Sequence, residues 1–243
     1  MRAMLFAAGL GTRLRPLTDH MPKALVPVGG RPLLDITSSK LREAGTTEMV
    51  INVHHFANQI VDYVSTHEMG MDVRISDESE QLLDTGGGLK KALSMFSSDD
   101  HSPILIHNVD ILSNADLAAF YESNQDVDVA LMVSSRQTQR YLLFDDSMRM
   151  VGWTNIATGE IRSPFGSIDV SKCHKYAFSG IHVVNPSIAK LMEEWPEKFP
   201  IMDFYIKNCA QMTIRGVHNS NLRLLDVGKQ DTLTAAEEFL QTI

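Results

Sequence analysis

The chain has 243 residues, 44% hydrophobic and 21% charged, an ordinary globular composition with room for one large α/β domain and a substantial core. A net charge of −8 argues against the broad basic face on which nucleic-acid binding leans, and Cys173 and Cys209, far apart and outside any C-x-x-C pattern, suggest neither a disulfide framework nor a zinc site. No window approaches the roughly eighteen apolar residues of a membrane span and no signal-peptide pattern opens the chain, so a soluble, cytoplasmic protein is expected.

The first element in chain order is an apolar run, Met4 to Ala8, which reads as a short buried strand. It empties into Gly9-Leu10-Gly11-Thr12-Arg13, and a second cation follows in the loop Pro22-Lys23. Open α/β sheets bind ligands at the carboxyl ends of their strands. Glycines there let backbone N–H groups approach a phosphate, and Arg13 and Lys23 supply the charge a polyphosphate demands. The third glycine of a dinucleotide fingerprint is missing and no Gly-Lys-Ser/Thr follows, so neither the Rossmann nor the P-loop pattern fits.

Arg31-Pro32-Leu33-Leu34 then begins a helix whose apolar positions recur to Ala44, with Gly45 as its C-terminal cap. A strand at Met49–Val53, a helix from about Ala57 to Ser65 and a strand at Met71–Ile75 continue the alternation. Strand, helix, strand, helix, strand means parallel crossovers and a doubly wound, mostly parallel sheet.

An acidic loop, with Asp77, Glu78, Glu80 and Asp84, leads to Thr85-Gly86-Gly87-Gly88 and a helix beginning near Leu89. Three glycines opening a helix are expected to expose backbone N–H groups at its positive end. Pro103–His107 is the next strand and ends in Asn108-Val109-Asp110. In isolation Asp110 reads as a turn aspartate; its place beyond a central strand favours a ligand role. A helix near Asn114–Tyr121 and a strand at Val127–Ser134 follow.

From Gln137 to about Tyr176 short alternating runs separated by turn signals read as an inserted antiparallel β lobe. In that lobe Trp153 and Phe165 are expected to pack, and Lys172 and Lys175 are equal candidates to reach a phosphate. The strand from Tyr176 to Val184, two short helices, a strand at Met212–Val217, the segment Asn221–Gly228 and a last helix from Thr232 complete the chain.

Several of these segments together resemble the sugar-phosphate nucleotidyltransferases. The signature L-A-A-G-x-G-T-R-L-x-P-L-T…P-K-P-L-x-P-V stands here as Leu5 to Val28, with departures at Phe6 and Ala24. L-x-T-G-G-G stands at Leu83–Gly88, N-G-D at Asn108–Asp110 with Val109 for glycine, F-S-G-I at Phe178–Ile181, and the D-V-G segment at Asp226–Gly228 with Lys229 after it. The resemblance implies a glycosyltransferase-A-like α/β fold acting as one nucleotidyltransferase domain over residues 1–243, its sugar-binding insertion at about 137–176.

It also implies roles. Arg13 and Lys23 become the catalytic cations, and Ala7, Ala8, Gly9, Gly11, Thr12, Leu83, Thr85 and Gly86 the nucleotide contacts, with Glu78 a candidate acceptor for a base imino group. Gly87, Asn108, Ser179 and Gly180 line the sugar, and Asp110 and Asp226 hold Mg²⁺, a hard ion suited to one or two carboxylates plus phosphate oxygens. The implied reaction is attack of a sugar-1-phosphate oxygen on the α-phosphorus of a nucleoside triphosphate, releasing pyrophosphate.

Within the family the Asp84–Gly88 segment and the short chain are most similar to N-acetylmuramate-1-phosphate uridylyltransferases of cell-wall sugar recycling. Mannose and heptose guanylyltransferases, which favour T-A-G-A and T-G-G-A there, are the alternative substrates. A regulatory subunit that binds a nucleotide sugar without turnover is the alternative from another class, disfavoured by the intact Arg13, Lys23, Asp110 and Asp226. A nicotinamide oxidoreductase is disfavoured by the glycine spacing, and oligomeric state is not readable.

Overall fold

The computed structural model describes residues 1–97 and 99–243. The chain opens with β1 (Arg2–Phe6), followed by a short antiparallel pair, β2 (Pro27–Val28) and β3 (Arg31–Pro32). Helix α1 (Leu33–Glu43), β4 (Glu48–Val53), α2 (Ala57–Thr66) and β5 (Asp72–Asp77) come next. Then follow α3 (Asp84–Leu93), β6 (Ile104–Asn108), β7 (Ile111–Ser113), α4 (Leu117–Glu122) and β8 (Val129–Ser134). Strands β9 (Arg140–Phe144), β10 (Met150–Asn155), β11 (Glu160–Arg162) and the eleven-residue β12 (His174–Val184) form the next section. Helices α5 (Ala189–Met192) and α6 (Ile201–Asn208), strands β13 (Ile214–His218) and β14 (Leu224–Asp226), and α7 (Thr232–Leu240) complete it.

β1 is central because every side chain from Ala3 to Leu5 is buried, which demands cover on both faces. It pairs in parallel with β4 on one side and β6 on the other, and β5 extends the sheet beyond β4. Ala3 and Leu5 face one core with the apolar sides of α1, α2 and α4, and Ala236 of α7 joins them; Met4 faces a second core with residues of α3 and α6. The two faces of the sheet are therefore both covered by helices, as the alternating elements require.

The β lobe does not form a separate sheet. β12 serves both parts: His174–Tyr176 pair with β9, while its later residues pair antiparallel with β6 and β8. The register against β8 shifts between Phe178 and His182, and Gly180 within that interval has φ +75. Such a bulge bends the strand and re-aims its side chains, here at the edge of the cleft described below. Among the described residues no helix is long and apolar enough to cross a membrane.

One expected boundary is corrected. α3 begins at Asp84, so Gly86 to Gly88 lie inside its first turns rather than ahead of it. Their N–H groups are not presented to a ligand as expected: Gly86 N and Gly87 N both donate to Phe199 O, at 2.8 and 3.3 Å. A Cβ on Gly86 would lie 2.3 Å from the Phe199 ring, and one on Gly87 1.9 Å from Glu197 O. These glycines admit the 197–199 backbone against the helix, a packing requirement rather than a phosphate cradle.

Candidate active site

A cavity of about 440 Å³ opens at the carboxyl ends of β1 and β6. Ala7, Ala8, Gly9, Gly11, Thr12, Arg13, Lys23, Thr85, Asn108 and Asp110 line it, gathering ten of the sequence-identified residues from four separate stretches. The loop after β1 is shaped by two glycines with different duties. Gly9 has open space where a side chain would stand. Gly11 has φ +64, and a Cβ there would meet Thr18 Cγ2 at 2.8 Å and Lys23 Cβ at 3.1 Å. Its backbone carbonyl accepts the Thr18 hydroxyl at 2.8 Å, which folds the loop back on itself and brings Lys23 in.

Lys23 is buried and forms an ion pair with Asp110 Oδ2. Asp110 sits in the turn between β6 and β7, where its carbonyl accepts Val227 N at 2.9 Å. That bond and the pairing of Asp226 with Ile111 bring β14 alongside Asp110. Burial raises the Asp226 pKa, and the charge of Asp110 raises it further, against the opposing pull of Lys23, Arg13 and Arg136. The two carboxylates thus face a common space with cations around it.

Asp226 does not line this cavity directly but borders it through Gly228. A Cβ on Gly228 would stand 2.7 Å from Asp226 Oδ1 and 2.8 Å from an Arg13 guanidinium nitrogen. Its bare backbone lets both side chains close in. The D-V-G motif contains Gly228 but assigns it no role; the structure supplies one.

Sequence reasoning missed Asn52. Its Oδ1 accepts Ala7 N at 2.8 Å, and its amide donates to Glu78 Oε1 at 2.8 Å. Glu78, expected at the base, is buried; its Oε2 accepts Leu83 N at 3.0 Å, and it lies outside the residues lining the cavity at the ends of β1 and β6. Its carboxylate braces the end of β1, through Asn52, to the segment entering α3. A lone Asn at a strand end carries no sequence signal for such a brace.

Leu83, Gly86 and Gly87 likewise do not line the cavity; Leu82 and Asp84 do. Asp84 adopts φ 62, uncommon for a side-chain-bearing residue, and its carboxylate accepts Thr85 N at 2.7 Å. The Thr85 hydroxyl accepts Ile201 N at 2.9 Å, tying this wall to the start of α6. On the opposite side a Cβ on Gly180 would lie 2.9 Å from Asn108 Nδ2, so the bulge in β12 presses on Asn108. Ser179 beside it is buried, and its hydroxyl has no partner among the described residues. Neither Lys172, paired with Asp169, nor Lys175 lines this cavity, and Trp153 packs against the Arg162 guanidinium at 5.8 Å.

Among the described residues no three His, Cys, Asp or Glu side chains converge as a metal cage. The Asp110–Asp226 pair nevertheless fits a hard divalent ion whose other ligands are phosphate oxygens and water. Asp226 of β14 pairs with Ile111, next to Asp110, and the charge of Asp110 raises its pKa, so the pair carries excess negative charge, only part of it balanced by Lys23, that a cation relieves.

Residues 2–141 match the family described as nucleotidyl transferase. The chain belongs to the nucleotidyltransferase family. An N-acetylmuramate α-1-phosphate uridylyltransferase from Caulobacter vibrioides is 32% identical over 98% of this chain and 96% of its own length. A mannose-1-phosphate guanyltransferase from Schizosaccharomyces pombe is 29% identical over 100% of this chain and 65% of its own length. The crystal structure of HddC from Yersinia pseudotuberculosis superposes with a TM-score of 0.78 at 20% identity, covering 98% of this chain and 99% of the other, a likeness of fold. The nucleotidyltransferase fold expected from the opening motif is thereby borne out.

Proposed function

We propose that this nucleotidyltransferase transfers a uridylyl group from UTP to N-acetylmuramate α-1-phosphate, giving UDP-N-acetylmuramate and pyrophosphate. The observation that carries this reading is the end-to-end similarity to the Caulobacter vibrioides enzyme, over 98% of this chain and 96% of that one. The gathering of Arg13, Lys23, Asp110 and Asp226 around one cavity supports the chemistry.

Both reactants are anionic, so the work is to hold negative charges in line and to stabilise the charge that builds at the α-phosphorus. An oxygen of the sugar phosphate forms the new bond to that phosphorus, and the bond to the bridging oxygen breaks, pyrophosphate leaving with the electron pair. The nucleophile is already ionised at neutral pH, so no general base is required. Backbone groups from Ala7 to Thr12 bind the triphosphate, with Arg13 against the leaving pyrophosphate. Lys23, held over Asp110, keeps further N–H donors for the α-phosphate or the incoming sugar phosphate. Asp110 and Asp226 would hold Mg²⁺, which supplies charge neutralisation and positions the phosphates.

Thr85 and Asn108 provide polar groups on the two walls that receive base and sugar. The whole chain then works as one catalytic unit, and its dependence on a nucleoside triphosphate suits the cytoplasm. A second reading, GTP with mannose 1-phosphate, rests on the similarity to the Schizosaccharomyces pombe enzyme, which spans this entire chain.

The test is pyrophosphate release with Mg²⁺, pairing UTP, GTP, CTP and dTTP with N-acetylmuramate, N-acetylglucosamine, glucose, mannose and heptose 1-phosphates. Release confined to UTP with N-acetylmuramate 1-phosphate is expected. Release confined to GTP with mannose 1-phosphate establishes the second reading instead.

A further inference from the structure

A second, smaller pocket of about 260 Å³ lies past the end of β8, with Ser134, Ser135, Arg136, His218 and Leu224 among its lining residues. Leu224 is two residues before Asp226 on β14, so this pocket adjoins the carboxylate pair. Arg136 Nη2 donates to Phe178 O at 3.3 Å, which sets the guanidinium beside the Ser179–Gly180 bulge. Its charge also reaches Asp226. Arg136 has no carboxylate within ion-pair distance among the described residues.

The rest of the pocket is built to receive a polar group. His218 stacks on Tyr176 with ring centroids 4.4 Å apart and 25° between planes, and its Nε2 lies 2.9 Å from Ser135 Oγ. The ring is thus held in place from two directions. Ser134, more than nine-tenths buried at 8% exposure, has a hydroxyl without a partner among the described residues. A buried hydroxyl left unpaired is destabilising unless something satisfies it.

We propose that this pocket receives a carboxylate carried on the sugar ring, with the Arg136 guanidinium as its counter-charge and the serine hydroxyls completing its hydrogen bonds. The inference rests on the N-acetylmuramate reading above. That sugar differs from N-acetylglucosamine by an ether-linked lactyl group, whose carboxylate is ionised at neutral pH. The 1-phosphate lies at Lys23 and the carboxylate pair, and the opposite side of the ring turns toward the bulge and Arg136. A planar guanidinium with several unengaged N–H donors matches a carboxylate in a forked pair. A neutral sugar offers Arg136 no such partner, so the pocket sets substrate choice rather than the chemical step.

The experiment compares kcat/KM for N-acetylmuramate 1-phosphate and N-acetylglucosamine 1-phosphate, with UTP and Mg²⁺, in the wild type, Arg136→Met and Arg136→Lys. Arg136 is exposed, so both variants are expected to fold. The wild type should prefer the carboxylate-bearing sugar. Arg136→Met should lower that preference ratio about 10- to 100-fold, the worth of a hydrogen-bonded charge pair, chiefly through KM. Arg136→Lys should fall between them. If the wild type turns over N-acetylmuramate 1-phosphate and Arg136→Met keeps the same ratio, the pocket assignment is overturned while the substrate reading stands. A wild type inactive on N-acetylmuramate 1-phosphate overturns both.

Discussion

Lys23 and Asp110, 87 residues apart in the chain, meet as an ion pair at the floor of the cleft. Their side chains are 10% and 20% exposed, so the pair is partly withdrawn from solvent. An ion pair in such a place is weak evidence of stabilisation, because desolvation offsets much of the attraction. It does place a cation between the loop after β1 and the turn after β6, where the proposed phosphates meet.

Lys23→Ala should keep the fold, with a lower Tm because Asp110 is left unpaired, and lose most turnover. Removing one preorganised donor from a developing charge lowers kcat by about 10²- to 10³-fold. Circular dichroism checks the fold, and pyrophosphate release checks the rate. Near-wild-type kcat would remove Lys23 from the mechanism.

The Asp226 pKa is raised above 3.8 by burial first and by Asp110 second. A carboxylate whose folded pKa is raised contributes stability below its unfolded value, and that contribution is lost as pH rises through the folded value. Asp226→Asn should accordingly raise Tm at pH 7 without divalent ions. It should also abolish the increase in Tm that Mg²⁺ is expected to produce in the wild type. In the wild type the Mg²⁺-induced shift should fade on acidification at a pH above 3.8, as Asp226 takes up its proton. Differential scanning fluorimetry across pH and Mg²⁺ concentration reads all three; an unchanged Mg²⁺ shift in Asp226→Asn would exclude this site for the ion.

Two glycine-to-alanine variants should fail in opposite ways. In Gly87→Ala the new Cβ meets the fixed backbone oxygen of Glu197 at 1.9 Å, so α3 and the 197–199 segment must part. A loss of about 1–3 kcal/mol or more in unfolding free energy is expected. In Gly228→Ala the atoms nearest the new Cβ are the ends of the Arg13 and Asp226 side chains, which can move. Tm should change little while activity falls, on the order of 10²-fold for an ångström of displacement. Urea denaturation and steady-state kinetics on both variants separate the two effects.

His182 and His107 are fully buried in the sheet, and burial lowers their pKa values from 6.5 to about 3 and about 4. Between those values and 6.5 the unfolded chain takes up protons that the folded chain does not, so stability falls with pH across that window. Each residue contributes roughly 1.4 kcal/mol per pH unit at most. Neither ring nitrogen of His182 has a partner among the described residues, so His182→Leu removes a titrating group without breaking a hydrogen bond. The variant's urea midpoint should fall less steeply between pH 6.5 and 5 than that of the wild type; equal slopes would remove His182 as a source of the acid sensitivity.

The sequence by itself determined the order of elements around β1 and placed Arg13, Lys23 and Asp110 beside its ligand edge, while Asp226 was implied only by the resemblance of its D-V-G segment. A buried apolar run, helical spacing and turn glycines are local properties, and Arg13, Lys23 and Asp110 each sit at a strand end or loop that such patterns locate. Tertiary structure decided what those residues do with their neighbours. Glu78 and the Gly86–Gly88 run resembled ligand groups in sequence, yet packing gave the carboxylate to Asn52 and Leu83 and the Gly86 and Gly87 N–H groups to Phe199. The same holds for Gly228, whose importance comes from Arg13 converging on it across more than two hundred residues. Hydrogen-bond competition and close approach between distant segments are set by three-dimensional proximity, and no local pattern encodes them.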